Sequence, residues 1–119
     1  MMGEGMIEKA RDLGRLIGQT EEYKALERAR ERFSNDREAV QHVNTLSRLE
    51  QEITQLMQRN EEPTEQVQQD YETAFSALQG NTAYQSMIAA QSNFDRILQK
   101  VNEEISNGVQ LGATSRIIL

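Results

Sequence analysis

At 119 residues the chain has the size of one domain, and Leu, Ile, Val and Phe supply only 26 of them against 13 Gln and 15 Glu. A core is affordable but thin, and most of each element must face water. The net charge of −6, with nine acids against three bases between residues 34 and 80, excludes a general nucleic-acid binder, because such a protein needs a basic footprint to displace counterions from phosphates.

The absence of cysteine removes disulfides, thiolate catalysis and cysteine-ligated zinc or iron–sulfur centres. No basic region followed by an apolar run opens the chain, and no apolar stretch approaches membrane-spanning length. A soluble, cytoplasmic protein with no cofactor and no membrane insertion is expected.

Taken in order, Met6, Ile7, Ala10, Leu13, Leu16 and Ile17 recur at spacings of three and four. They predict a first amphipathic helix from about Glu4 to Gln19, weakened by Gly14 and Gly18. Thr20 is placed to cap a second helix, with Glu21 and Glu22 where carboxylates favour the helix dipole. Tyr23, Leu26 and Phe33 form its apolar side, ending near Ser34. Asn35 or Asp36 then caps a third helix, whose stripe of Val40, Val43, Leu46, Leu49, Ile53, Leu56 and Met57 is sustained to about Asn60.

Pro63, the single proline, lies in Glu61-Glu62-Pro63-Thr64 and cannot continue a helix, so it reads as the joint of a helix pair. Thr64 caps a shorter fourth helix carrying Val67, Tyr71, Ala74, Phe75 and Leu78, with Gly80 as its left-handed terminator. Asn81 caps a fifth helix that runs to about Asn107 and closes at Gly108. Within it Tyr84, Gln91, Leu98 and Ile105 share one position of a seven-residue repeat and Met87, Phe94 and Val101 the other.

The expected fold is therefore all-α: about five helices, two of them long and amphipathic, forming an elongated antiparallel bundle over residues 1–108, followed by a tail at 109–119. Helices this long in so short a chain leave seams that its other helices do not cover, so a homodimer or higher homo-oligomer is expected. The seam for the second copy or another partner comprises Leu46, Leu49, Ile53 and Leu56 of the third helix, with Tyr84, Met87, Gln91, Phe94, Leu98, Val101 and Ile105 of the fifth. Gln91 reads either as a specifier of register or as a solvated edge of the seam. The terminal Arg116-Ile117-Ile118-Leu119 reads either as a docking segment or as a mobile end.

No catalytic arrangement emerges. His42 is the only histidine, which removes two-histidine metal helices and paired bundle motifs. The carboxylates, Glu50 with Glu52 and Glu103 with Glu104 among them, read as solvated faces, and no glycine-rich phosphate loop is present. Lys24, Arg28 and Arg32 fall along one stripe of the second helix and form a polar interaction stripe for an acidic helix or an RNA backbone. Interleaved Glu27 and Glu31 make local ion pairs the better reading of it. An RNA-associated factor is thus the alternative to a protein-binding regulator.

The order of these pieces resembles the YlbF/YmcA family of small helical bacterial regulators. The resemblance is carried by Ala10-Arg11-Asp12-Leu13-Gly14, Thr20-Glu21-Glu22-Tyr23, Phe33-Ser34-Asn35-Asp36-Arg37-Glu38-Ala39, the Glu61-Glu62-Pro63-Thr64 connection, and Gln91-Ser92-Asn93-Phe94-Asp95-Arg96-Ile97-Leu98 leading into Val101-Asn102. It covers about residues 4 to 107. It implies an all-helical fold, dimers or larger assemblies, and a regulatory or adaptor role in the cytoplasm, in developmental regulation or RNA processing. Some family members contribute cysteines to iron–sulfur clusters, a role that no residue here can take, so a homo-oligomeric, YheA-like relative is the closer expectation.

Overall fold

The computed structural model describes residues 3–118, with side chains as far as residue 114. It contains five helices in the order α1 (Glu4–Gly18), α2 (Glu21–Asn35), α3 (Arg37–Gln58), α4 (Glu65–Gln79) and α5 (Thr82–Ile118), and no strand among the described residues. The fold is all-α, with α3 and α5 as the long helices. The expected docking of Arg116 to Leu119 concerns side chains outside the described residues.

Short side chains set the helix boundaries. Thr20 serves two helices with one hydroxyl: Oγ1 donates to the Ile17 carbonyl at the end of α1 (2.7 Å) and accepts from the Tyr23 amide at the start of α2 (3.1 Å). Of the two candidates before α3, Asp36 is the cap, accepting from the Ala39 amide at 3.0 Å. Thr64 accepts from the Val67 amide (3.2 Å), and Asn81 from the Tyr84 amide (2.9 Å). Each satisfies one of the amides that a first helical turn leaves without an intrahelical acceptor.

The α3–α4 joint is made one step earlier than Pro63. Asn60 adopts a left-handed conformation (φ 58°), its amide donates to the Met57 carbonyl (3.1 Å), and the Glu61 amide donates to the Leu56 carbonyl (2.8 Å). That pair of bonds is a Schellman closure, with asparagine where glycine is commonest. Pro63 lies between the helices, where its missing amide costs nothing, and α4 begins after it.

Two expected terminators are corrected. Gly80 is not left-handed; it has φ −80°, and its amide donates to the Ser76 carbonyl while the Asn81 amide donates to that of Leu78. The next helix begins at Thr82, so the chain turns within a tight last turn of α4 and needs no positive φ. Gly108 does not close α5, which continues to Ile118 and takes in residues 109–118 that had been expected to form a tail. An interior glycine costs about 1 kcal/mol relative to alanine, a penalty that a long helix can absorb without breaking.

The chain divides into two compact units, the boundary falling inside α2 and inside α5. Unit 2, Glu27–Ile88, is organised by the hairpin of α3 and α4, which the six-residue connection makes antiparallel. Its core is Ala39, Leu46, Ala74 and Leu78, with Phe33, Val43, Tyr71 and Tyr84 packed against them. The Phe33 and Tyr84 rings lie 6.0 Å apart at 50°, joining the end of α2 to the start of α5. Unit 1 contains α1, the start of α2 as far as Leu26, and α5 from Ala89 onward. There the Tyr23 and Phe94 rings meet at 5.3 Å and 57°, whereas α1 contributes no buried residue.

These backbone assignments separate two substitutions that look alike in sequence. Asn60→Ala is expected to destabilise the protein by about 1 kcal/mol, because alanine meets the left-handed penalty, and Asn60→Gly is expected to be tolerated. Gly80→Ala is expected to be neutral or to stabilise by roughly 0.5 kcal/mol, because an added Cβ meets only ordinary contacts there. Urea titrations of the three variants check this; a larger loss at Gly80 than at Asn60 contradicts it.

Candidate interaction surface

The predicted seam residues fall in both units and differ in burial. Leu46 and Leu49 are buried, and Leu46 belongs to the core of unit 2. Ile53 and Leu56, further along α3, are half-buried, as are Tyr84 and Met87 at the start of α5. In unit 1, Gln91, Phe94, Leu98 and Val101 are half-buried and Ile105 is 50% exposed. Gln91 donates from Nε2 to Asp95 Oδ1 at 2.9 Å, a bond along its own helix. Coverage of the α5 seam therefore falls off toward its C-terminal end.

Of the polar stripe on α2, Lys24 is engaged locally and Arg32 across to α5. Lys24 Nζ lies 3.7 Å from Glu21 Oε1, and neighbouring Arg30 pairs with Glu27 at 3.8 Å. Arg32 reaches α5, donating to Thr82 Oγ1 at 3.2 Å and Ser86 Oγ at 3.4 Å. Arg28 is exposed. His42 is half-buried on α3, and among the described residues no group of three or more His, Cys, Asp or Glu side chains is placed to hold a metal ion. A groove along α1 is lined by Glu4, Ile7, Glu8, Arg11, Asp12 and Arg15, with Arg15 ion-paired to Asp12.

Sequence reasoning missed the polar junction of unit 2. Asp36 and Asn81, the caps of α3 and α5, are also bonded to each other: Asn81 Nδ2 donates to Asp36 Oδ2 at 3.4 Å while Asn81 Oδ1 accepts the Tyr84 amide. Both ends of the Asn81 amide are thus used, in the one orientation that suits both partners. The Ala39 amide is the main cause of a lowered Asp36 pKa, with Asn81, the Glu38 amide and the Arg32 charge adding to it against partial desolvation. A second cross-helix bond runs from Tyr71 Oη on α4 to Glu50 Oε1 on α3 at 3.3 Å; desolvation, then the Glu50 charge, raise the Tyr71 pKa. Asp36 and Asn81 were visible as caps, Tyr71 as an apolar-face residue and Glu50 as a solvated acid, but pairings 45 and 21 positions apart have no local signature.

What the arrangement offers is helix surface: local ion pairs, capped junctions and apolar stripes with incomplete cover. The sequence matches the family described as Control of competence regulator ComK, YlbF/YmcA, over residues 6–110. The chain belongs to the YlbF/YmcA family. The match spans α1 through most of α5, so it includes the helix with no fully buried residue as well as the α3–α4 hairpin. The family is regulatory by description, and the helical architecture foreseen from the sequence is the one found. Comparison with individually curated proteins gives no match. No helix among the described residues is long and apolar enough to cross a membrane.

The Asp36 junction makes stability depend on acidity in a defined direction. Since folding lowers the Asp36 pKa below its ordinary value of 3.8, its contribution is complete above that value and is lost as pH falls through the folded value. Asp36→Ala is expected to lower the Tm near neutral pH, with the gap from wild type narrowing below about pH 4. Thermal melts across that range check it, and a gap that stays constant down to about pH 2 contradicts it.

Proposed function

We propose that this YlbF/YmcA protein is a non-enzymatic cytoplasmic regulator that acts as an adaptor: it forms a homo-oligomer through its helices and presents helical faces to other regulatory proteins. The observation that carries this reading is the imbalance in its apolar side chains. Five of the ten buried hydrophobic residues are alanines, while nine large hydrophobics among the described residues are exposed. A monomer that leaves such side chains in water gains stability and specificity by covering them with protein. The partly exposed members of the seam, Ile53, Leu56, Leu98, Val101 and above all Ile105, are assigned to partner contact.

The cysteine-free sequence favours a YheA-like homo-oligomer over a role in cluster-binding assemblies. Control of the competence regulator ComK, from the family's description, is the regulatory output assigned to the chain. In a competence-forming bacterium whose own family member has been deleted, the chain is expected to restore expression from a ComK-dependent promoter. An Ile105→Glu variant is expected to accumulate normally and restore less than half of it. A reporter unaffected by the wild-type chain, although the protein accumulates, overturns the competence assignment.

A further inference from the structure

The chain's net charge is not spread along it. Residues 50–72 carry seven acids against Arg59 alone, a net −6, and the other 96 residues carry twelve acids and twelve bases. The whole excess therefore sits at the joint end of the α3–α4 hairpin, on the last turns of α3, the connection and the first two turns of α4. All seven carboxylates are exposed, and none has an ion-pair partner among the described residues. Glu50 and Asp70 accept hydrogen bonds from Tyr71 and Gln66, neutral donors that leave the negative charge in place.

Beside this charge lies an apolar edge. The Tyr71–Glu50 bond ties one edge of α4 to one edge of α3. Met57 follows Glu50 by seven residues and so shares its side of α3, while Phe75 follows Tyr71 by four, its ring stacked on the tyrosine at 6.2 Å and 9°. Met57 is 65% exposed and Phe75 40%. Since α3 runs toward the joint and α4 away from it, the two lie on either side of the Tyr71–Glu50 bond, roughly 16 Å apart along the hairpin at about 1.5 Å per residue. That span is about three helical turns, the reach of one short amphipathic helix.

We propose that this edge is a docking surface for a basic amphipathic helix of another protein, which seats apolar side chains on Met57 and Phe75 and places Lys or Arg against the surrounding carboxylates. The proposal rests on the adaptor reading above and names a face and a partner chemistry for it. Charge selects the occupant. A nucleic acid or an anionic lipid surface is repelled by a net −6 concentrated in residues 50–72. A second copy supplies no complement either, because no helix of this chain is cationic: α1, α2 and α5 each carry equal numbers of acids and bases, α3 is at −1, and α4 is at −3 with no base at all. The positive charge must come from a different chain. Methionine suits such a contact, since its flexible thioether adapts to the side chains of a docked helix.

Anisotropy titrations of the full chain into a labelled Lys/Leu amphipathic peptide of about 18 residues test the proposal, with a scrambled peptide of the same composition as the reference for charge alone. The amphipathic peptide is expected to bind about tenfold more tightly than the scrambled one at low salt, and to weaken as salt is raised. Glu62→Lys/Glu72→Lys is expected to weaken binding about tenfold and Met57→Gln or Phe75→Gln about fivefold each, whereas Glu103→Lys/Glu104→Lys, the same charge change on α5, leaves it unchanged. Circular dichroism confirms that each variant keeps its helix content. Equal binding of the scrambled peptide, indifference to Met57 and Phe75, or an equal loss in the α5 variant reduces the effect to general charge attraction and overturns the docking surface. Absence of binding at low salt overturns it as well. The ComK-dependent reporter separates this failure from that of the adaptor reading, since a chain that restores the reporter without binding the peptide is a regulator that does not use this edge.

Discussion

The shortage of large apolar side chains constrains the rest of this fold. Among the described residues, five of the ten buried hydrophobic ones are alanines, which let helices approach closely but bury little surface each. The core of unit 2 consequently depends on a few leucines, Leu46 and Leu78 with aromatic rings at their edge, and on the capped junctions that bring the helix ends together. Polar groups with cross-helix partners then do part of the positioning that a thicker core would do by packing. The Asp36–Asn81 contact between two caps, the Arg32 bonds to Thr82 and Ser86, and the Tyr71–Glu50 bond are instances in unit 2.

Unit 1 shows the same shortage from the other side. Its α1 is strongly amphipathic yet buries no residue, and α5 runs on well past the ring contact between Tyr23 and Phe94. An amphipathic helix whose apolar side is only partly covered, with Leu13 and Ile17 half-buried and Met6, Ile7 and Leu16 exposed, gains little from propensity alone, since most helical stability in proteins comes from packing. This face lies within the residues matched by the YlbF/YmcA family.

Much of the helical plan was legible in the sequence because its determinants are local. Thr20, Asp36, Thr64 and Asn81 each stand three residues before the amide they accept from, a spacing that survives any tertiary arrangement. The breaks were less legible. Pro63 was prominent, but the turn belongs to Asn60, whose left-handed backbone sequence does not announce; Gly80 and Gly108 carry the commonest sign of a helix end and mark no left-handed stop. Heptad spacing placed Leu46 and Ile105 on equivalent stripes, yet one lies in a core and the other in water. That difference depends on which helix arrives opposite, which periodicity does not encode.

The central proposal is that the apolar side chains left uncovered in one chain, most of them in unit 1, are covered by a second copy of it. Amide hydrogen exchange at several protein concentrations tests it most directly, because protection can be read segment by segment in the unmodified protein. Protection of α1 and of α5 beyond Val101 is predicted to rise with concentration while that of α3 and α4 stays constant. Protection of α1 that does not change with concentration, or a rise confined to the α3–α4 hairpin, would contradict the account.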